Sequence, residues 1–134
     1  METVKSLTNF FEEILKDLNC HQNTKSYIIG IYNKYRISDL DFSKKSITLL
    51  FAQARNEHNF SIYQNLGDWL FYVGTIIPQY FNDVSPDYYH NIARVAYYTC
   101  YRLINKKWLL FEEMSDNYIN LEKQAREKLK TLSF

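Results

Sequence analysis

Apolar side chains recur every three or four residues along most of this chain, which is the spacing of amphipathic helices. In the first predicted helix, the residues on the apolar face are Val4, Leu7, Phe11, Ile14, Leu15 and Leu18. A second, shorter helical pattern covers about Thr24 to Tyr35. A third helix is predicted after Ser43. Ser43 suits its N-cap, because a serine hydroxyl can accept a hydrogen bond from an otherwise unpaired backbone N–H of the first turn.

The fourth predicted helix, at about residues 58–77, has an apolar arc far wider than a surface helix needs. Only a narrow polar strip remains, consisting of Ser61, Gln64, Asn65, Asp68 and Thr75. This pattern predicts a central helix. Gly67 and Gly74 lie on one face, and each costs about 1 kcal/mol of helix propensity relative to Ala. A close helix crossing would offset that cost; alternatively, Gly74 marks a helix end.

Two further helices complete the pattern. Ser85, Pro86 and Asp87 are typical of a helix start, and this fifth helix extends to about residue 104. A single apolar stripe after Trp108 predicts a long sixth helix through Phe111, Met114, Tyr118, Leu121, Ala125 and Leu129. The intervening residues 105–107 contain no Gly or Pro, so a bend could join the two helices instead.

These elements predict an all-α fold with one domain over residues 1–134. We expect a single irregular bundle of five or six helices. The fourth helix would lie at its centre, packed by the first, fifth and sixth helices.

Composition narrows the class of protein. The 16 basic and 15 acidic residues nearly cancel, so nucleic acid is not an expected partner. The longest apolar stretch ends at Pro78 and is shorter than the roughly 20 residues of a membrane-spanning helix. Cys20 and Cys100 are isolated, and the N-terminus lacks a signal-peptide pattern. We therefore expect a cytoplasmic protein with reduced cysteines and no membrane span.

Several common catalytic motifs are missing: HExxH, GxSxG, GxxxxGK[ST] and CxxC do not occur. The chain also lacks the Glu-x-x-His pairs of a carboxylate-bridged metal centre. No metal or cofactor is predicted, and the missing motifs favour a protein that is not an enzyme.

The best candidate for a site is a polar ridge on one edge of the fifth helix, formed by Asp87, His90, Arg94, Tyr97 and Tyr101. If Asp68 or Arg55 faced this ridge, the groups could bind an anion through Arg94 or use His90 as a proton carrier. The alternative is a structural Arg94–Asp68 salt bridge with packed tyrosines. The candidate ligand-binding residues are Arg55, Asp68, His90, Arg94, Tyr97 and Tyr101, and the candidate structural residues are Gly67 and Gly74.

Aromatic residues are abundant, with 12 Tyr, 9 Phe and 2 Trp. Tyr suits wet interfaces, because it buries area while its hydroxyl still finds a partner. The excess indicates an interaction surface or a homo-oligomer; a genome-level compositional bias is the alternative.

The run of residues 66–71, Leu-Gly-Asp-Trp-Leu-Phe, is followed by Gly74 and Pro78, then by Tyr88-Tyr89 and Ala96-Tyr97. This pattern resembles one in an uncharacterised family of small bacterial helical proteins, over about residues 47–122. The resemblance implies a bacterial cytosolic protein. It directs attention to Gly67, Asp68, Gly74 and Tyr97, and it transfers no catalytic residue.

From the sequence we expect a non-catalytic helical module, regulatory or for protein interaction, that binds a protein partner or itself. The alternative is a binding protein for a small anionic ligand, or an unrecognised enzyme, with a pocket near Asp68, His90, Arg94 and Tyr97. A cavity that gathers these four groups would favour the ligand-binding alternative. An exposed patch of aromatic residues would favour the interaction module.

Overall fold

A computed structural model of the chain describes residues 10–35, 44–78 and 86–130. These residues form helices joined by turns, with no strand among them, which confirms the all-α class. The predicted helix positions Val4 and Leu7 and the predicted N-caps Ser43 and Ser85 lie outside these ranges. Residues 10–15 form α1. The helices that follow are α2 (Gln22–Tyr35), α3 (Lys44–Glu57), α4 (Phe60–Ile76), α5 (Pro86–Leu103), α6 (Leu109–Asp116) and α7 (Tyr118–Lys130).

No helix within the described ranges is both long and apolar enough to cross a membrane.

Helix α4 lies at the centre of the bundle, as its wide apolar arc predicts. It is capped by Asn59, whose side-chain oxygen accepts the N–H of Ile62 at 3.2 Å. Among helices α2 to α7, its main neighbours are α5, α3, α7 and α2. Phe11 of α1 stacks on Tyr32 of α2, with 5.2 Å between ring centroids.

The predicted long sixth helix is two helices, α6 and α7, separated at Asn117. Asn117 has φ −106° and ψ 17°, and its N–H donates to the carbonyl of Glu113 at 2.9 Å. The change of direction lets α6 pack mainly on α5 while α7 packs mainly on α4. The apolar stripe continues across this one-residue break, which is why its periodicity predicted a single helix.

The corner between α5 and α6 is built from two left-handed residues, Asn105 (φ 57°) and Lys106 (φ 60°). The N–H of Lys106 donates to the carbonyl of Tyr101 at 2.8 Å, and that of Asn105 to Arg102 at 3.0 Å. These bonds satisfy carbonyls at the end of α5. Asn tolerates the left-handed conformation, so the helix ends here without Gly.

Gly67 and Gly74 each lie directly against a side chain from another helix. A Cβ atom at Gly67 would be 2.7 Å from Cζ of Tyr97 on α5. A Cβ atom at Gly74 would overlap the carboxylate of Glu122 on α7. The two glycines therefore set how closely α5 and α7 approach α4.

We expect Gly67→Ala to lower the free energy of unfolding by about 1–3 kcal/mol, because the added methyl group overpacks the contact with Tyr97. Urea denaturation measures this change. The matched control is Gly30→Ala in α2, where nothing lies within 4 Å of the added atom. That control should raise the free energy of unfolding by up to about 1 kcal/mol through helix propensity. Equal effects at the two positions would contradict the close crossing.

Candidate functional site

Asp68 lies on the polar strip of α4 and is only 4% exposed. One of its carboxylate oxygens, Oδ1, accepts hydrogen bonds from the hydroxyls of Tyr27 at 2.6 Å and Tyr97 at 2.7 Å. The amide of Gln64 donates to the hydroxyl of Tyr27 at 3.1 Å. This cluster ties α2, α4 and α5 together at a single carboxylate.

Burial dominates the electrostatics of the Asp68 cluster. It raises the pKa of Asp68 to about 6, against the opposing effects of the two tyrosine hydrogen bonds and the Lys34 charge. Burial and then the Asp68 charge raise the pKa of both Tyr27 and Tyr97, so both hydroxyls stay protonated and donate. The same two causes raise the pKa of the Cys100 thiol to about 12, which keeps it in the weakly nucleophilic thiol form.

A shallow groove of about 250 Å³ opens beside Asp68. Its lining residues are Tyr27, Gly30, Ile31, Lys34, Gln64 and Asp68. Of the four residues proposed to share a pocket, this groove contains only Asp68. His90, Arg94 and Tyr97 do not line it.

His90 belongs to a second cluster, centred on the buried carboxylate of Glu122. Oε1 of Glu122 lies 2.9 Å from Nε2 of His90 and accepts a bond from Nη2 of Arg126 at 2.6 Å. Nε of Arg126 also donates to the carbonyl of Gly74 at 3.2 Å. Sequence reasoning missed this cluster. The i,i+4 spacing of Glu122 and Arg126 is a signal for an ion pair, but it carries no information about burial.

Arg94 forms a reciprocal pair with Ser115 of α6 rather than with Asp68. Its Nε donates to the carbonyl of Ser115 at 3.1 Å, and the Ser115 hydroxyl donates to the carbonyl of Arg94 at 2.8 Å. Tyr101 is buried, at 7% exposure, and Arg55 is exposed on α3.

Among the six candidate residues, the structure joins Asp68 and Tyr97 directly. His90 bonds instead to Glu122 of α7, and Arg94 bonds to Ser115 of α6. Helical-wheel geometry placed them correctly on α5 but could not show which helix each of them meets.

A larger groove of about 680 Å³ lies between residues 21–24 and residues 107–110, and we call it the Trp108 groove. Trp108 is 58% exposed and Leu109 is 63% exposed. Sequence reasoning assigned both residues to the start of the sixth helix. The sequence signal that could have indicated this groove is the change from two lysines, Lys106 and Lys107, to two large apolar residues, Trp108 and Leu109.

The outer face of α5 is the solvent-facing arc formed by Tyr88, Asn91, Val95, Tyr98 and Arg102. Tyr88, Val95 and Tyr98 are 40%, 47% and 43% exposed. Asp87, also exposed, lies at the edge of this arc.

No protein-family model matches this chain, and no curated protein or solved structure is significantly similar to it. The resemblance to small bacterial helical proteins therefore stays a prediction.

The raised pKa of Asp68 predicts a specific pH dependence of stability. Its unfolded pKa is about 3.9 and its folded pKa is about 6. Between these values the folded chain binds more protons. The Asp68 contribution to the free energy of unfolding is therefore greatest below about pH 4, and it falls by on the order of 3 kcal/mol as the pH rises through 6.

Urea unfolding of the wild type and of Asp68→Asn across this pH range tests the assignment. The Asn variant keeps an oxygen acceptor for the two tyrosines but cannot titrate. Its free energy of unfolding should therefore lose that downward trend. Parallel curves for the two proteins would show that Asp68 does not titrate in this range.

Proposed function

We propose that this protein is a helical interaction module that self-associates through the outer face of α5. The observation that carries the proposal is the row of exposed Tyr88, Val95 and Tyr98 on one helix face. Interfaces are enriched in Tyr and depleted of charge at their centres, and this row has both properties. Of the groups proposed for a shared pocket, His90 and Arg94 bond to partners away from Asp68 and Tyr97, which also supports an interaction role.

The charges on α5 favour a second copy of the chain as the partner. Asp87 lies eight residues before Val95 and Arg102 lies seven residues after it, or about 12 Å and 10 Å along the helix. If two α5 helices pair antiparallel about Val95, Asp87 of each copy comes beside Arg102 of the other. Such a pairing is isologous and closed, as most homodimers are.

The contact should be weak, because α5 has 18 residues and is therefore only about 27 Å long. One helix pair buries less than the roughly 1,000 Å² typical of stable interfaces. The net charge of +1 adds little repulsion between copies. We expect a dimer that forms reversibly as the protein concentration rises from micromolar to millimolar.

Sedimentation velocity over that concentration range tests the interface. Val95→Glu places two like charges at the dimer axis, and we expect it to keep the protein monomeric. Ile119→Glu is the matched control, because Ile119 on α7 is 48% exposed, close to the 47% of Val95. The control should associate like the wild type. A wild-type monomer at every concentration, or equal effects of the two variants, would refute the proposal.

A charge exchange tests the antiparallel geometry separately. Arg102→Asp should weaken association, since it brings two acidic side chains together at each end of the interface. Adding Asp87→Arg to the same chain should restore association, because opposite charges then face each other again. If the double variant associates no better than Arg102→Asp, the proposed pairing of the two ends is wrong. Sedimentation equilibrium measures all three dissociation constants.

A further inference from the structure

The Trp108 groove joins an apolar wall to the start of a helix. Trp108 and Leu109 line one side, and His21 with the first three residues of the 14-residue α2 lines the other. Its volume of about 680 Å³ is within the range of about 300–1,000 Å³ typical of small-molecule sites. The groove therefore offers an apolar surface and a polar helix end to the same ligand.

The helix end supplies hydrogen-bond donors. The N–H groups of Gln22, Asn23 and Thr24 have no acceptor within their own helix, and the described residues provide none. The preceding N–H, that of His21, donates to Oε1 of Glu113 at 3.1 Å. The first turn of α2 thus presents amide donors and the positive end of a helix dipole to the groove.

Thr24 gives an independent indication of a ligand. Among the residues that line the groove it alone is buried, at 1% exposure. Its hydroxyl is the one buried side-chain polar atom in the described part of the chain without a hydrogen-bond partner. Buried hydroxyls are almost always paired, and an acceptor atom bound in the groove would satisfy this one.

The charges around the groove select the kind of anion. Lys107 lines it and contributes one positive charge, and the dipole of α2 adds a partial one. The carboxylate of Glu113 at His21 opposes them. The resulting field is weakly positive, which suits a single negative charge better than a dianion such as a phosphate monoester.

We propose that the Trp108 groove binds an organic monocarboxylate with an apolar or aromatic body. The carboxylate would accept bonds from the first turn of α2 and from the Thr24 hydroxyl, with Lys107 adding attraction. The apolar body would lie against Trp108 and Leu109. This site is independent of the outer face of α5 and does not require self-association.

Phenylacetate is a suitable probe, with phenylacetamide as the uncharged control of nearly the same shape. We expect titration with phenylacetate to shift the NMR signals of the Trp108 indole N–H and of the amides of residues 22–24. The indole of Trp69, which is 4% exposed in the core, is an internal control and should not shift. Phenylacetamide should bind about tenfold more weakly or not at all, since it lacks the charge.

Two variants test the polar contacts. Thr24→Val keeps the side-chain shape but removes the hydroxyl, and it should weaken phenylacetate binding by about tenfold. Its thermal midpoint should not fall, because the hydroxyl makes no bond in the unliganded protein. Thr24→Ser keeps a hydroxyl and should retain binding. Lys107→Gln should weaken binding, whereas Lys130→Gln, at the end of α7, is the matched control and should not.

Three results would overturn the proposal. The first is the absence of shifts at Trp108 and residues 22–24 at millimolar phenylacetate. The second is equal affinity for phenylacetate and phenylacetamide, which would show that the helix end takes no part. The third is tighter binding of inorganic phosphate than of phenylacetate, which would assign the groove to a different class of anion.

Discussion

Tyr97 makes two contacts with α4 at adjacent positions. Its ring occupies the space that a side chain at Gly67 would fill, and its hydroxyl donates to Asp68 at 2.7 Å. Together the contacts fix both the separation and the relative rotation of α4 and α5. Tyr27 reaches the same carboxylate oxygen and places α2 against the pair. The orientation of the outer face of α5, and of the corner that leads to the Trp108 groove, depends on this arrangement.

Two buried carboxylates lie at α4: that of Asp68, on the helix itself, and that of Glu122, on the neighbouring helix α7. Their surroundings differ. Glu122 of α7 has Arg126 and His90 as partners beside Gly74, so a cation compensates its burial. Asp68 has two tyrosine hydroxyls instead, with Lys34 bonded to Asn65 at the surface. A buried carboxylate is costly when only neutral donors surround it. The burial of the Asp68 carboxylate therefore lowers the free energy of unfolding, while its hydrogen bonds hold three helices together.

The helical class and the central position of α4 could be predicted from the sequence, because both follow from the width and period of the apolar arcs. The sequence could not show the break at Asn117, where the apolar stripe continues unbroken. It identified Asp68 and Tyr97 as candidate partners but also grouped His90 and Arg94 with them. Those two side chains point to α7 and α6, and the partner of a helix face depends on crossing angles that periodicity does not encode. The Trp108 groove was missed because it is formed by residues far apart in the chain.

The sharing of one carboxylate oxygen by Tyr27 and Tyr97 has an evolutionary consequence. Removing Asp68 alone leaves the buried Tyr97 hydroxyl and the partly buried Tyr27 hydroxyl without their acceptor, and removing either tyrosine leaves the buried carboxylate with one hydrogen-bond donor fewer. Replacing all three residues together by apolar ones carries a much smaller penalty, but every single step toward that end is unfavourable. Among descendants of this chain, the three positions should therefore be inherited as a unit, retained together or lost together.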